Sequence, residues 1–545
     1  MKRMKFYSSL LLLTISSTSA IALECPDKSN VPYCPDSGST LLDETYPTQA
    51  FVISNRPMVP SKEASGVTQK FVSKVISNYD YKNVPQIILP MSNPEDFKEL
   101  VASIRNTLVQ KKIPEADVEK IIGQITPGPA QSYTWQQDWF ESFVDLKTGS
   151  PVVRQIESYY ERVSPGAGQQ LANSGNQCAL TNGDTITPAY NENPFSTLEQ
   201  NRKGENSFGS GEMGGNIEGA PGGFCLAGDN QGKKFTTQFC GDEKNIITLQ
   251  TSWLSVGHVD ELFKIMPTQF NDGRPKECEF SLMAASPKKA LSLMATPGPG
   301  NIPFYDIDNK NPDIDLNEIK AMRVEGQFAG NSRICKYMQL AMNKKPNMPS
   351  LPNSIKSVFL KLFFTDASAG IVESGISFDK QMENCSNNIE KVTNFEIQEV
   401  MKDDKDFMDL QMAIDKSIEA DKARIKEKIL SRLPQCIKYY NEIDVPDLFY
   451  GGKTIKNADG TLQLQQPGTT DSFLPNPTNS VLMNKTLTFS DSGNKLFNNY
   501  MKDELSKRNM KADFIPTWDY AHIGHGNIHC SSHSIPYCKP KTESR

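Results

Sequence analysis

The residues best equipped for chemistry lie near the C-terminal end, in the run His522-Ile523-Gly524-His525-Gly526-Asn527-Ile528-His529-Cys530-Ser531-Ser532-His533. Four of the chain's five histidines fall in these twelve residues, around one cysteine. A thiol among imidazoles suits nucleophilic catalysis, because nearby positive charge favours the thiolate. Two other readings are a metal site and a disulfide, with Cys538 the nearest partner. The spacing of the four histidines is not a standard zinc pattern, and the sole remaining histidine is His258. The nucleophile is the reading adopted for Cys530.

Two further clusters carry carboxylates. Trp253-Leu254-Ser255-Val256-Gly257-His258-Val259-Asp260-Glu261 sets an acid–base group two residues from an acid. In an extended strand both would share one face, and the carboxylate would favour the protonated imidazole. A purely structural His–Asp hydrogen bond is the alternative. Trp135-Gln136-Gln137-Asp138-Trp139-Phe140-Glu141 sets two acids among aromatic rings. That combination suits a planar cation, through stacking and bidentate hydrogen bonds; a half-buried strand with satisfied acids is the alternative. A fourth stretch, Asp306 to Asp315, is acidic but fails the EF-hand pattern, since Lys310 and Asn311 occupy ligand and glycine positions. It reads as a solvated loop.

The elements that must position these residues alternate between strand and helix. Val84–Leu89 reads as a strand, and Pro94 to about Val109 as a helix capped by Asn93. Residues 163–235 are rich in Gly, Asn and Ser and read mainly as loops, with a short element at Asn216-Ile217-Glu218. Asn245–Ser255 and Cys278–Ala285 read as strands, the second feeding a helix that starts at Pro287. Residues 395–433 have helical periodicity, as do Asn494 to Met510, and 513–518 reads as a strand. The alternation indicates an α/β class.

Composition narrows the function. The chain has 545 residues, with 37% hydrophobic and 22% charged, enough for a packed core. Lys2, Arg3 and Lys5, the apolar run Phe6–Ile15 and the small residues ending at Ala20 read as a secretory signal over residues 1–20. The run is about half the ~20 residues a membrane span needs. Cleavage there removes three positive charges, taking the net charge from −6 to −9. Such a surface excludes nucleic-acid binding by bulk electrostatics and is compatible with a cationic substrate. Residues 21–85 lack sustained periodicity and read as an N-terminal extension that wraps the domain or stays mobile. The catalytic part then spans 86–545. Eleven cysteines in an exported chain permit up to five disulfides and one odd thiol. Cys25 with Cys34 and Cys225 with Cys240 are the local loops the spacing suggests. A secreted or periplasmic protein without a stable membrane span is expected.

Taken together, three motifs resemble the catalytic domain of protein-arginine deiminases. They are the WxQD of Trp135-Gln136-Gln137-Asp138, the segment TSWLSVGHVDELFKIMP, and the HIxHGxxHC of residues 522–530. Gly214-Gly215-Asn216-Ile217-Glu218 resembles the family's GNLE segment. The resemblance implies a pentein fold, a five-bladed α/β propeller, here with a helical insertion. It implies that Asp138 and Asp260 grip a guanidinium, that His258 is general acid and then base, and that Cys530 is the nucleophile. Trp135 and Val256 would line the side-chain tunnel. The implied activity is hydrolysis of arginine in a protein or peptide to citrulline, through a Cys thiouronium intermediate. A deiminase of free arginine or another small guanidine is the neighbouring reading, and a catalytically silent propeller that binds proteins is the reading from another class. The resemblance also implies Ca²⁺, held by the side chains of Gln137, Glu141 and Glu218 and the carbonyls of Gly214 and Ile217. Trp139 stands where the family carries an acidic ligand of a neighbouring calcium, so that second site is expected to be lost. The arginine that holds the substrate backbone in the family has no aligned position.

Overall fold

The structure is a computed structural model. It describes residues 32–35, 41–58, 66–91, 93–128, 134–138, 140–144, 151–155, 213–270, 272–304, 337–338, 340–342, 344, 391–518 and 520–539. The fold is α/β, built from small separate sheets with one recurring plan. An outer strand pairs antiparallel with a central strand, which pairs parallel with the next strand after a helical crossover. Ile217–Ala220, Phe224–Gly228 and Ile246–Leu249 form one such sheet, and Phe263–Pro267, Phe280–Ser286 and Glu442–Pro446 a second. Val481–Met483, Thr486–Ser490 and Lys511–Ile515 form a third. In a fourth, Ser532–Pro536 pairs antiparallel with Thr48–Ile53, which continues parallel to Gln86–Leu89 and Ile125–Pro127. Phe140–Val144 and Pro151–Gln155 form an antiparallel hairpin, a fifth sheet, and two short two-stranded sheets pair Phe449–Tyr450 with Asp471–Ser472 and Thr454–Lys456 with Leu462–Leu464. The central strands are buried along nearly their whole length; Phe280–Ser286 is buried at all seven positions. Burial on both faces is what helix-covered sheets with parallel pairs require.

The crossover helices follow local signals. Asn93 accepts a bond from the Glu95 amide and Pro94 occupies the first turn of Pro94–Gln110. Ser286 caps Pro287–Met294 through the Lys289 amide. The periodic region after 395 becomes two helices, Asn394–Met401 and Lys405–Arg432. The longer one buries Phe407, Leu410, Ile414, Ile418, Ile425 and Ile429, and most of these join the core around Trp253, Phe263 and Phe449. Asn494 caps Lys495–Ser506.

Several expectations are corrected. The stretch 245–255 is not one strand: Ile246–Leu249 ends early, and the chain then turns. Nor does His258 share an extended strand with Asp260. His258 precedes a one-turn 3-10 helix, Val259–Glu261, so the two side chains are brought together by a turn and not by the two-residue repeat. The Gly-rich stretch before 235 contains the hairpin Ile217–Gly228 and the start of the helix Lys233–Cys240. The extension is more than a wrap, since Thr48–Ile53 is a central strand and Val67–Asn78 a helix that buries Val67, Phe71, Val72, Val75 and Ile76. That helical spacing was readable in the sequence.

Cys225–Cys240 is formed as expected. Cys34 pairs with Cys538, 504 residues away, and not with Cys25; Cys278 pairs with Cys436. Cys530 is free and buried, which removes the disulfide alternative. The signal segment, Cys25, Trp139 and the acidic stretch 306–315 lie outside the described residues. Among the described residues no helix is long and apolar enough to cross a membrane.

Candidate functional site

One loop carries His258 and Asp260, and it is fixed from several sides. Asp421 on the long helix accepts from the Gln250 amide at 2.7 Å. Asp229 accepts from the amides of Thr251 and Ser252. Trp253, fully buried, donates its indole N–H to the Gln250 carbonyl at 2.7 Å. Gly468 lies so close beneath that a Cβ there would sit 1.5 Å from the Trp253 carbonyl oxygen. Gly257 turns the chain at φ +82°, and the His258 amide then donates to Glu261 Oε1 at 3.0 Å. Val256, half-buried, stands just before that turn.

Cys530 closes a turn that ends where Ser532–Pro536 begins. Asn479 ties it to Asp260. Its Nδ2 donates to Asp260 Oδ2 at 2.8 Å and to Cys530 Sγ at 3.0 Å, and its Oδ1 accepts from the amides of His529 and Cys530. Cys530 Sγ lies 3.6 Å from Asp260 Oδ2. The other Asp260 oxygen, Oδ1, is buried and has no hydrogen-bond partner among the described residues. A buried acceptor of this kind awaits a donor. Burial, and then Asp260, push the Cys530 thiol well above its ordinary range, so the resting site holds a protonated thiol.

His529 lies on the far side of Asp260, its Nδ1 2.8 Å from Asp260 Oδ2 and its Nε2 3.2 Å from Glu44 Oε1. Lys264, buried, pairs with Oε2 of the half-buried Glu44 at 2.6 Å. Burial and Lys264 push the His529 imidazole down, but the bonds to Asp260 and Glu44 outweigh them and raise it to about 9. Burial pushes Glu44 up, and Lys264 and His529 overcome that and hold it near 2.

The Trp135–Asp138 loop reaches the same place through the backbone. The amides of Gln136 and Gln137 donate to the Cys530 carbonyl at 2.8 and 3.3 Å. Asp138 is buried beside them. Trp135 covers Gly526, where a Cβ would fall 2.4 Å from the ring. Gly215 gives way to His258 in the same manner, its would-be Cβ 2.6 Å from Nδ1 and 3.4 Å from Asp260 Oδ2.

Next to this lies an oxygen-rich cradle. Glu141 is pushed well up by burial and by Glu218 beside it, and Glu218 is raised by burial to about 7. The Gly214 backbone packs where a Cβ would lie 2.0 Å from the Gln137 carbonyl oxygen and 2.6 Å from Glu141 Oε1. Ile217 is buried at the start of its strand. A buried and a half-buried carboxylate, the first held up by the second, with carbonyl and amide oxygens, fit a hard divalent cation. Gln137 Oε1 faces His533 Nδ1, and burial holds His533 near 3, a neutral ring. Glu218, Asp260 and His529 also offer ligand atoms within 4.8 Å of one another.

The residues singled out in the sequence therefore converge by a common rule. Asp138, Gly215, Asp260, Asn479 and Cys530 each lie two or three residues before the start of an antiparallel strand, one from each of these five of the seven described sheets. Asn479, Glu44 and Lys264 were not anticipated. Asn479 sits in a Pro-, Asn-, Thr- and Ser-rich turn stretch without a titratable group, and Glu44 in a stretch without periodicity. Only the paired distances reveal them. Asn479→Leu, close in volume, is expected to lower kcat/KM about a hundredfold, since buried donors and acceptors lose their partner. Steady-state kinetics alongside a thermal melt checks this; an unchanged kcat/KM would remove Asn479 from the site.

The sequence matches the model of one family, Protein-arginine deiminase (PAD), over residues 230–536. Val256, His258, Asp260 and Cys530 fall inside that segment, whereas Trp135, Gln137, Asp138, Glu141, Gly214, Ile217 and Glu218 precede it. No curated protein matches. Among solved structures, the agmatine deiminase of C. jejuni overlaps at 10% identity and a TM-score of 0.36, covering 92% of this chain and 97% of that one. The agmatine deiminase of Enterococcus faecalis gives 11%, 0.37, 92% and 96%. A Porphyromonas gingivalis protein described as a candidate arginine deiminase gives 10%, 0.40, 92% and 99%. Overlaps this loose carry no argument about substrate.

Proposed function

Because the chain belongs to the protein-arginine deiminase family, we propose that it hydrolyses the guanidinium of peptidyl arginine to citrulline and ammonia. The observation that carries this is the buried free thiol of Cys530 beside Asp260, whose second oxygen awaits a donor. A guanidinium offers paired N–H donors on a planar cation, which is what a pair of carboxylates such as Asp138 and Asp260 would grip. Its charge beside Cys530 offsets the carboxylate that raises the thiol, so substrate binding itself favours the thiolate.

The steps then balance. The thiol proton passes to His258, and Sγ bonds to the guanidinium carbon. His258 returns the proton to the departing nitrogen, the C–N bond breaks, and ammonia leaves a thiouronium on Cys530. Water attacks that carbon while His258 takes its proton. The C–S bond breaks with its electron pair going to Sγ, His258 returns its proton to that sulfur, and the product loses its extra proton to water and carries a neutral ureido group. Asn479 holds Sγ and Asp260 in register throughout. Trp135 and Val256 would wall the arginine side chain.

Ca²⁺ fits the cradle of Gln137, Glu141 and Glu218 with the carbonyls of Gly214 and Ile217; bound there, it would supply the charge that keeps the two carboxylates ionised. The Glu141 strand follows directly on Asp138, so ordering this cradle would also order one half of the guanidinium grip. The five sheets are read as blades of a pentein propeller. Support comes from the strand plan shared by four of them and from the equivalent positions of the site residues. Three disulfides accord with export to an oxidising compartment.

The test is citrulline formation by the mature chain from a blocked arginine peptide, free arginine and agmatine, each with calcium and with chelator. Turnover of the peptide that chelator removes and calcium restores is the expected result. Turnover of a small guanidine alone would change the substrate class. Equal rates with chelator would discard the calcium role. No ureido product from any of them would leave a binding scaffold.

A further inference from the structure

We propose that Glu44, carried on a strap of N-terminal chain, is a positioning residue that fixes Asp260 through His529; this rests on the deiminase reading of the site. The strap is fastened at several points. Cys34 is bonded to Cys538, and the amides of Cys34 and Lys539 donate to the carbonyls of Lys539 and Pro32, both at 2.8 Å. Leu41 bridges to Phe143. Leu42 and Asp43 lie against Gly219, where a Cβ would come within 2.5 Å of the Leu42 carbonyl carbon. Asp43 turns the strap by accepting from Thr45 N at 2.9 Å. Glu44 thus enters the interior from outside the family-matched segment.

There it completes a relay. Lys264 Nζ meets Glu44 Oε2 at 2.6 Å, and Glu44 Oε1 meets His529 Nε2 at 3.2 Å. His529 Nδ1 meets Asp260 Oδ2 at 2.8 Å, an oxygen that Asn479 also holds. An imidazole bonded at both nitrogens cannot turn about its ring axis. With Oδ2 engaged by His529 and Asn479, the Asp260 carboxylate is locked with Oδ1 left over. That is the oxygen a guanidinium N–H would meet. Gln137 Nε2 lies 3.1 Å and Glu218 Oε1 3.9 Å from His529 Nε2, so without Glu44 that nitrogen loses its nearest carboxylate, and Asp260 Oδ2 keeps only Asn479 as a firm tether. The disulfide makes the strap a permanent part of the wall, because it ties the strap to the chain just past the nucleophile.

A structural ion pair would also fill this space, so the test reads the orientation of Asp260 and not turnover alone. The rate of Cys530 alkylation is measured with 2-chloroacetamidine, a cation shaped like the guanidinium head, and with neutral iodoacetamide, in the full mature chain with calcium. The wild type is expected to favour the cation. Glu44→Gln is expected to lose about tenfold of that preference, the size of one hydrogen bond to a charged group, with the iodoacetamide rate little changed. Lys264→Met should act in the same direction. An unchanged ratio, or two rates that fall together, would overturn the proposal and leave the strap structural. Should Glu44→Gln fail to fold, Glu44→Asp decides: it keeps the charge one methylene back, and the proposal requires the ratio to fall there too. A wild type without preference for the cation would instead sink the deiminase reading itself.

Discussion

Cys530→Ala is expected to yield no ureido product from any guanidine, a fall of at least about ten-thousandfold, because a nucleophile removed from a coupled site takes nearly all the acceleration with it. Among the described residues no other thiol can take over, since the other six cysteines are bonded in pairs. Mass spectrometry of the product and a thermal melt of the variant separate lost chemistry from lost fold; residual turnover in a folded variant would remove Cys530 as nucleophile. The same thiol gives a pH prediction. Its raised pKa keeps it protonated through neutral pH. Alkylation of the substrate-free protein by iodoacetamide should therefore still be climbing above pH ~8.5, where an ordinary thiol is half ionised. A rate that levels off below that pH would mean Cys530 is not held by burial and Asp260 as described.

Asp260→Asn should move two quantities in opposite directions. Turnover falls by about a thousandfold, since the variant loses a charge aimed at the cation and to its transition state. Yet Asp260 is also one of the causes that raise the Cys530 thiol, so near pH 8 the variant should react faster with iodoacetamide than the wild type. A variant that is merely misfolded would also lose turnover, but its thiol would become reactive alongside a lowered melting temperature. Lost turnover with a slower thiol would place Asp260 away from Sγ and contradict the 3.6 Å contact.

Before any fold is known, the residue types already specify much of this chemistry. A thiol among histidines, His258 two residues from Asp260, and Asp138 between aromatic rings are covalent facts, and together with the family resemblance they imply a nucleophile, an acid–base group and a cation grip. Local signals also carried several elements, because their physics is local. Asn93 before Pro94 and Ser286 before Pro287 cap helices with their own side chains. The Val67–Asn78 helix, by contrast, was missed in a stretch read as lacking periodicity, although Val67, Phe71, Val75 and Ile76 carry the helical spacing.

The remainder depends on residues far apart in sequence. Whether His258 and Asp260 stand in a strand or a turn is decided by Asp421, Asp229 and Gly468, none of which is near them in the chain. Cys34 finds Cys538 across 504 residues because Tyr33 and Lys539 are paired in space. Asn479 and Glu44 have no sequence signature, since an amide or a carboxylate acquires its role from what it touches. The sequence by itself determined which groups can react. Tertiary structure decided which of them meet, because only the assembled fold brings Asp260, Asn479, His529 and Cys530 within contact and buries them, where charges act more strongly than in water.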